Sequence, residues 1–103
     1  MKLLTKAIEK SLPALYSQED NPDPDVVLHY FNPLGQGDWF ITEGEWRDED
    51  FLMFGLCDLG YPELGYVSLS EMENVKLKWG MGIERDLHWT PKPLSEVRAK
   101  ACA

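Results

Sequence analysis

Leu3, Leu4, Ala7, Ile8 and Leu12 recur at the spacing of one helix face, while Lys2, Lys6 and Lys10 fall on the others. The pattern predicts a helix over residues 3–12. Pro13 ends it, because proline has no N–H to donate and its ring clashes with the preceding turn. SQEDNPDPD (17–25) is polar, acidic and broken by two prolines, and reads as a loop. VVLHYF (26–31) turns β-branched and aromatic, the composition of a strand. NPLGQGD (32–38) is a turn. WFITEGEW (39–46) and FLMFGLC (51–57) read as two further strands joined by RDED into a hairpin.

Beyond the hairpin, DLGYPELG (58–65) carries a proline and two glycines and reads as a loop. YVSLSEMENVK (66–76) begins extended and turns helical. Ser68 and Glu71 fit a capping box, with Ser70 and Glu73 as the alternative register. WGMG (79–82) is a turn and IERDLHW (83–89) supplies a last short strand. Thr90 with Pro91, or Pro93 in the first turn, opens a terminal helix. The expected fold is a small α+β domain spanning residues 1–103. Its antiparallel sheet contains 26–31, 39–46 and 51–57, with short N-terminal, middle and C-terminal helices.

Length agrees: 103 residues suit one domain, and a chain of this size buries roughly two-thirds of its unfolded surface. Charge changes the picture more. The net charge is −8, so phosphate-rich partners, nucleic acid and anionic membranes alike, are repelled and a basic protein is favoured. The charge is also polarised. Between Glu19 and Glu63 twelve acids accompany Arg47 as the only base, so that segment carries −11 and the remainder +3. The N-terminal stretch is interrupted by Lys6, Glu9 and Lys10 and does not read as a signal peptide or anchor. No run reaches the length of a membrane span. The expected setting is the cytoplasm. Cys57, in an apolar run, is expected to be a buried thiol, and Cys102 to be loose; two cysteines are too few for a disulfide framework.

Candidate chemistry is sparse. His29 and His88 lie in strand-like stretches and read as packed or half-exposed imidazoles. No Cys-x-x-Cys or His-x-x-x-His spacing is present, so no metal and no cofactor are expected. EDNPDPD fails as a calcium loop because prolines occupy the alternation and no glycine follows. Ser68 and Ser70 are accounted for by capping, and no base neighbours Cys57 to activate it. In IERDLHW, Arg85 is read as the partner of a carboxylate at the end of the sheet, and Trp89 as largely buried.

LPALYSQED, DWFITEGEW, FGLCDLGYPELGYVSLSEMENVK and IERDLHWTPKPLSE together resemble DUF2958, a family of small uncharacterised bacterial proteins. The likeness covers nearly the whole chain. It implies a bacterial protein, often encoded near plasmid or other mobile-element genes. It implies no activity and assigns no residue a role.

ITEGEWRDED (41–50) is the most distinctive stretch. Glu43 and Glu45, two apart on a strand, share one side about 6.8 Å from each other, and Asp48, Glu49 and Asp50 cap the hairpin. An anionic ridge of these five solvated carboxylates is the expected interaction surface, with solubility and protection of the strand edges as their alternative role. A ridge of that kind imitates a nucleic-acid backbone and engages a basic, nucleic-acid-handling or defence protein, possible inhibitor chemistry without catalysis. The alternative is a small-ligand binder or enzyme with a pocket near Trp39, Arg85, His88 and Trp89. A third reading is self-association through an exposed sheet edge.

Overall fold

A computed structural model describes residues 2–101; Cys102, expected to be loose, lies outside the described residues. Helix α1 (Lys6–Ser11) starts later than its leucines suggest, because Thr5 caps it: its side-chain oxygen accepts from the Ile8 N–H at 3.2 Å. Leu3, Leu4 and Leu12 are buried outside the helix, on the chain entering and leaving it. The stretch expected as one strand over 26–31 is two, β1 (Asp25–Val26) and β2 (Leu28–Phe31), which belong to different sheets.

The main sheet has five strands. Strand β3 (Asp38–Arg47), β4 (Asp50–Asp58) and β5 (Pro62–Ser68) follow β2 as an antiparallel meander. The two-residue β6 (Glu84–Arg85) adds to the far side of β2, giving the order β5-β4-β3-β2-β6. Val26 of the first expected strand pairs with Lys92 in the other sheet, and the expected antiparallel sheet is therefore present over 28–31, 39–46 and 51–57. The loop expected over 58–65 is not: from Pro62 onward it is strand. Proline is tolerated as the first residue of an edge strand, and Gly65 pairs with Gly55. The strand expected over 83–89 shrinks to β6, since Asp86 accepts from the His88 N–H through its side chain and from the Trp89 N–H through its carbonyl, turning the chain.

Helix α2 (Leu69–Glu73) opens with the full capping box of Ser68 and Glu71; the Ser70 register is not used. Lys78–Gly80 make one 3₁₀ turn with Trp79 in the left-handed region at φ 60°. Strand β7 (Lys92–Pro93) pairs with β1, and α3 (Leu94–Ala101) follows Pro93 directly.

Side chains alternate across the sheet. One face presents Leu28, Tyr30, Ile41, Met53 and Val67 to Leu3, Leu4, Met72 and Ile83, forming the larger core. On the other face Leu56 packs with Val26 and Val97 beneath α3. The Tyr30 hydroxyl donates to the Leu3 carbonyl at 2.6 Å, which ties the N-terminal segment to the sheet. Burial pushes the Tyr30 phenol up, and the Arg85 charge opposite it offsets part of that rise.

Candidate functional site

The register shifts between Ile41 and Glu43, so Thr42 is the extra residue of a β-bulge. This one residue reverses the alternation of β3. Trp39 and Ile41 face the larger core, but Glu43 lies opposite Phe54, and Glu45 opposite Leu52, on the other face. Without the bulge both carboxylates would point into the apolar core.

The bulge delivers them to the segment that follows α1. Glu43, only 5% exposed, accepts from the backbone N–H groups of Tyr16 at 3.2 Å and Gln18 at 2.8 Å. Glu45 accepts from Leu15 N–H at 2.8 Å and from the Arg47 guanidinium at 2.8 Å. The Arg47 bond first, and the Leu15 N–H second, hold Glu45 below the usual carboxylate range. Asp50 accepts from the N–H and hydroxyl of Ser70 and sits low for that reason. The expected ridge of five solvated carboxylates is thus corrected. Glu43 is an internal acceptor, Glu45 and Asp50 are hydrogen-bonded to neighbouring segments, and Asp48 and Glu49 stand exposed at the hairpin tip.

Around Glu43 the chain gathers rings. Tyr16, itself in the left-handed region at φ 68°, lies 6.5 Å from Tyr66, and Tyr66 lies 4.8 Å from Phe54. With Gln18, Glu19, Pro24, Thr42 and Glu43 these rings line an open cup of about 110 Å³. The hydrogen bond to Tyr16 is the main reason the Tyr66 phenol is raised, and the charges of Glu43 and Glu19 add to it. Arg47 already places its guanidinium 5.7 Å from the centre of the Tyr16 ring, within the range where a cation is drawn to an aromatic face.

The second cluster centres on His29. Its Nε2 lies 2.8 Å from Asp38 and its Nδ1 3.0 Å from Asp86; the ring stacks on Phe40 at 4.6 Å and tilts against Trp89 at 5.1 Å. Trp89 donates its indole N–H to the Val26 carbonyl at 2.9 Å, and the Lys92 ammonium sits 4.3 Å over its ring. Trp89 is half-buried rather than enclosed. An imidazole that acts on a substrate needs a ring nitrogen facing it. Here both nitrogens meet carboxylates of the protein, and the ring clasps β2, β3 and the turn after β6.

The four residues of the alternative pocket do not share one. Trp39 packs against the larger core, Trp89 against the smaller one on the opposite face, and His88 is exposed. Arg85 and Trp89 do line one shallow cleft together. Cys57 is half-buried rather than buried; burial, then the Glu63 charge, pushes its thiol up, which opposes nucleophilic use. Among the described residues no three His, Cys, Asp or Glu side chains are placed to hold a metal ion, and none of the described helices is long and apolar enough to cross a membrane.

Three aspartates make stability depend on acid. Asp23 is lowered by the hydroxyl and N–H of Ser95, and Asp50 by Ser70. Burial raises Asp86, but hydrogen bonds from His29 and the His88 N–H outweigh it and leave the group low. A carboxylate lowered on folding adds stability above its unfolded pKa, about 4, and loses it as pH falls through the folded value. Urea midpoints are expected to hold steady from neutrality to about pH 5 and to fall below about pH 4. Asp23→Asn should show a smaller fall, and an unchanged acid limb would disprove the contribution of the Asp23–Ser95 contact.

Fold and site together define a small α+β domain with neither a metal cluster nor a disulfide among its described residues. The family model described as protein of unknown function (DUF2958) matches residues 3–103, and the chain belongs to that family. Comparison with curated proteins and with solved structures returned no match.

Proposed function

We propose that this domain is a non-enzymatic binding module for a basic protein, acting in the bacterial cytoplasm. The observation that carries the reading is the cup of Tyr16, Phe54 and Tyr66 beside Glu43 and Glu19. Aromatic faces next to carboxylates attract a guanidinium or ammonium group by cation–π and Coulomb terms together, and Arg47 over Tyr16 is an internal example. The net charge of −11 between Glu19 and Glu63 draws a cation toward the domain, and Glu19 and Glu43 are the acids of that segment that line the cup. A partner with a basic groove, of the kind that handles nucleic acid, matches this chemistry. The internal duties of Glu43, Glu45 and Asp50 move the contact surface from the hairpin ridge to the cup, with Glu19 as its exposed charge and Asp48 and Glu49 as the exposed charges of the hairpin tip.

A titration with a hexa-arginine peptide tests this. Binding is expected at low salt, with steep weakening near 0.1 M, where charges are screened beyond about 10 Å; a hexa-glutamate peptide and duplex DNA should not bind. The combined change Glu19→Gln, Asp48→Asn and Glu49→Gln should weaken binding at least about tenfold, the equivalent of one or two lost exposed charge contacts. Among the described residues those three side chains make no hydrogen bond or ion pair, so melting should not change. Undiminished binding by this variant would overturn the reading.

A further inference from the structure

We infer that β5 receives an extended basic segment of the partner as a sixth strand of the sheet. This rests on the proposed binding of a basic protein and specifies how the partner is held. The two ends of the sheet differ. At one end β6 has two residues and offers almost no template. At the other, β5 runs seven residues from Pro62 to Ser68 and pairs with β4 alone. Among the described residues its outer side makes no backbone hydrogen bond to any other segment.

Exposed edges are ordinarily guarded by lysine, proline, a bulge or a covering loop. Apart from Pro62 at its start and the charge of Glu63, this edge carries no lysine and no bulge through Ser68. Leu64 and Tyr66 are instead exposed on one face, and a side chain added at Gly65 would meet nothing within 4 Å. An incoming strand would satisfy the open backbone groups, and its alternate residues would lie over Leu64 and Tyr66. Tyr66 is also a wall of the cup, so a basic residue crossing it comes within reach of Glu19 and Glu43. Charge selects the occupant. Glu63 on the strand and Glu71 just after it extend the negative field along the edge. A second copy of this chain brings the same −8 and is repelled.

The test uses short peptides alternating arginine with threonine. Each is made unmodified and with alternate backbone nitrogens methylated, in both registers. A strand added to an edge points every second N–H at its neighbour, so methylation in one register should weaken binding at least about tenfold, while the other register is tolerated. Leu64→Lys should abolish binding and Leu64→Glu should strengthen it; opposite signs at one exposed position do not arise from damage to the fold. Equal binding by both methylated forms would overturn strand addition while leaving the basic-partner reading intact. No binding by any arginine peptide would remove both. A stable dimer in sedimentation that excludes the peptide would assign the edge to a second copy instead.

Discussion

Glu43→Ala is expected to lower stability by about 3 kcal/mol. Hydrogen bonds to a charged group are worth about 1.5–3 kcal/mol each, and leaving a buried donor unpaired forfeits more than the bond. Two backbone donors depend on this carboxylate, the N–H groups of Tyr16 and Gln18. Tyr16 also needs holding: its left-handed backbone is unfavourable for a residue with a bulky side chain. Released, the segment should relax, and the aromatic cup with it. Glu43→Gln keeps one acceptor and should cost about half as much. Equilibrium urea unfolding measures both. The neighbouring change Asp48→Asn serves as the control, with an expected effect within about 0.5 kcal/mol at an exposed position. Equal stability of Glu43→Ala and the control would mean that another group fixes residues 15–18.

Gly55→Ala should be more damaging still, costing about 4 kcal/mol or preventing folding. Core overpacking usually costs about 1–3 kcal/mol because a side chain shifts aside. Here the added Cβ would stand 2.0 Å from the Phe40 carbonyl oxygen and 2.8 Å from the Ile41 Cα, both backbone atoms of the paired strand. Neither can move without opening the β3–β4 ladder just before its bulge. Gly44→Ala is the informative contrast. Its Cβ meets the Phe51 ring at 2.7 Å, and a ring can turn. Thermal melting should rank Gly55→Ala well below Gly44→Ala, and the reverse order would show that the ladder yields more easily than the core.

The strands announced themselves where composition and exposure agree. VVLHYF, WFITEGEW and FLMFGLC are rich in β-branched or aromatic residues; the last two lie wholly in the main sheet, and VVLHYF divides between the two sheets. The first half of β5 was hidden because Pro62 and Gly65 are loop signals when read locally, whereas an edge strand accommodates both; its end, from Tyr66, already read as extended. The direction of Glu43 was unreadable for a different reason. It depends on a single extra residue, Thr42, and nothing in the local alternation of ITEGEW marks where the ladder slips. The clasp on His29 joins residues 9 and 57 positions away, and no periodicity spans such distances. Only the adjacency of β2 and β3 made Asp38 a foreseeable neighbour of His29. The capping box at Ser68 was legible because its four residues are contiguous.

The strand order carries a consequence for how the chain comes together. Strands β2 to β5 join nearest neighbours through short connections, so they can zip one hairpin at a time with little loop entropy to overcome. The C-terminal third has no such route. His29 meets Asp86 across 57 residues, and Asp23 meets Ser95 across 72. These closures gain nothing until the meander exists to receive them, which makes β6, β7 and α3 a latch that shuts last and opens first. Local opening of that latch would expose Leu56 and Val26 while the meander stays paired.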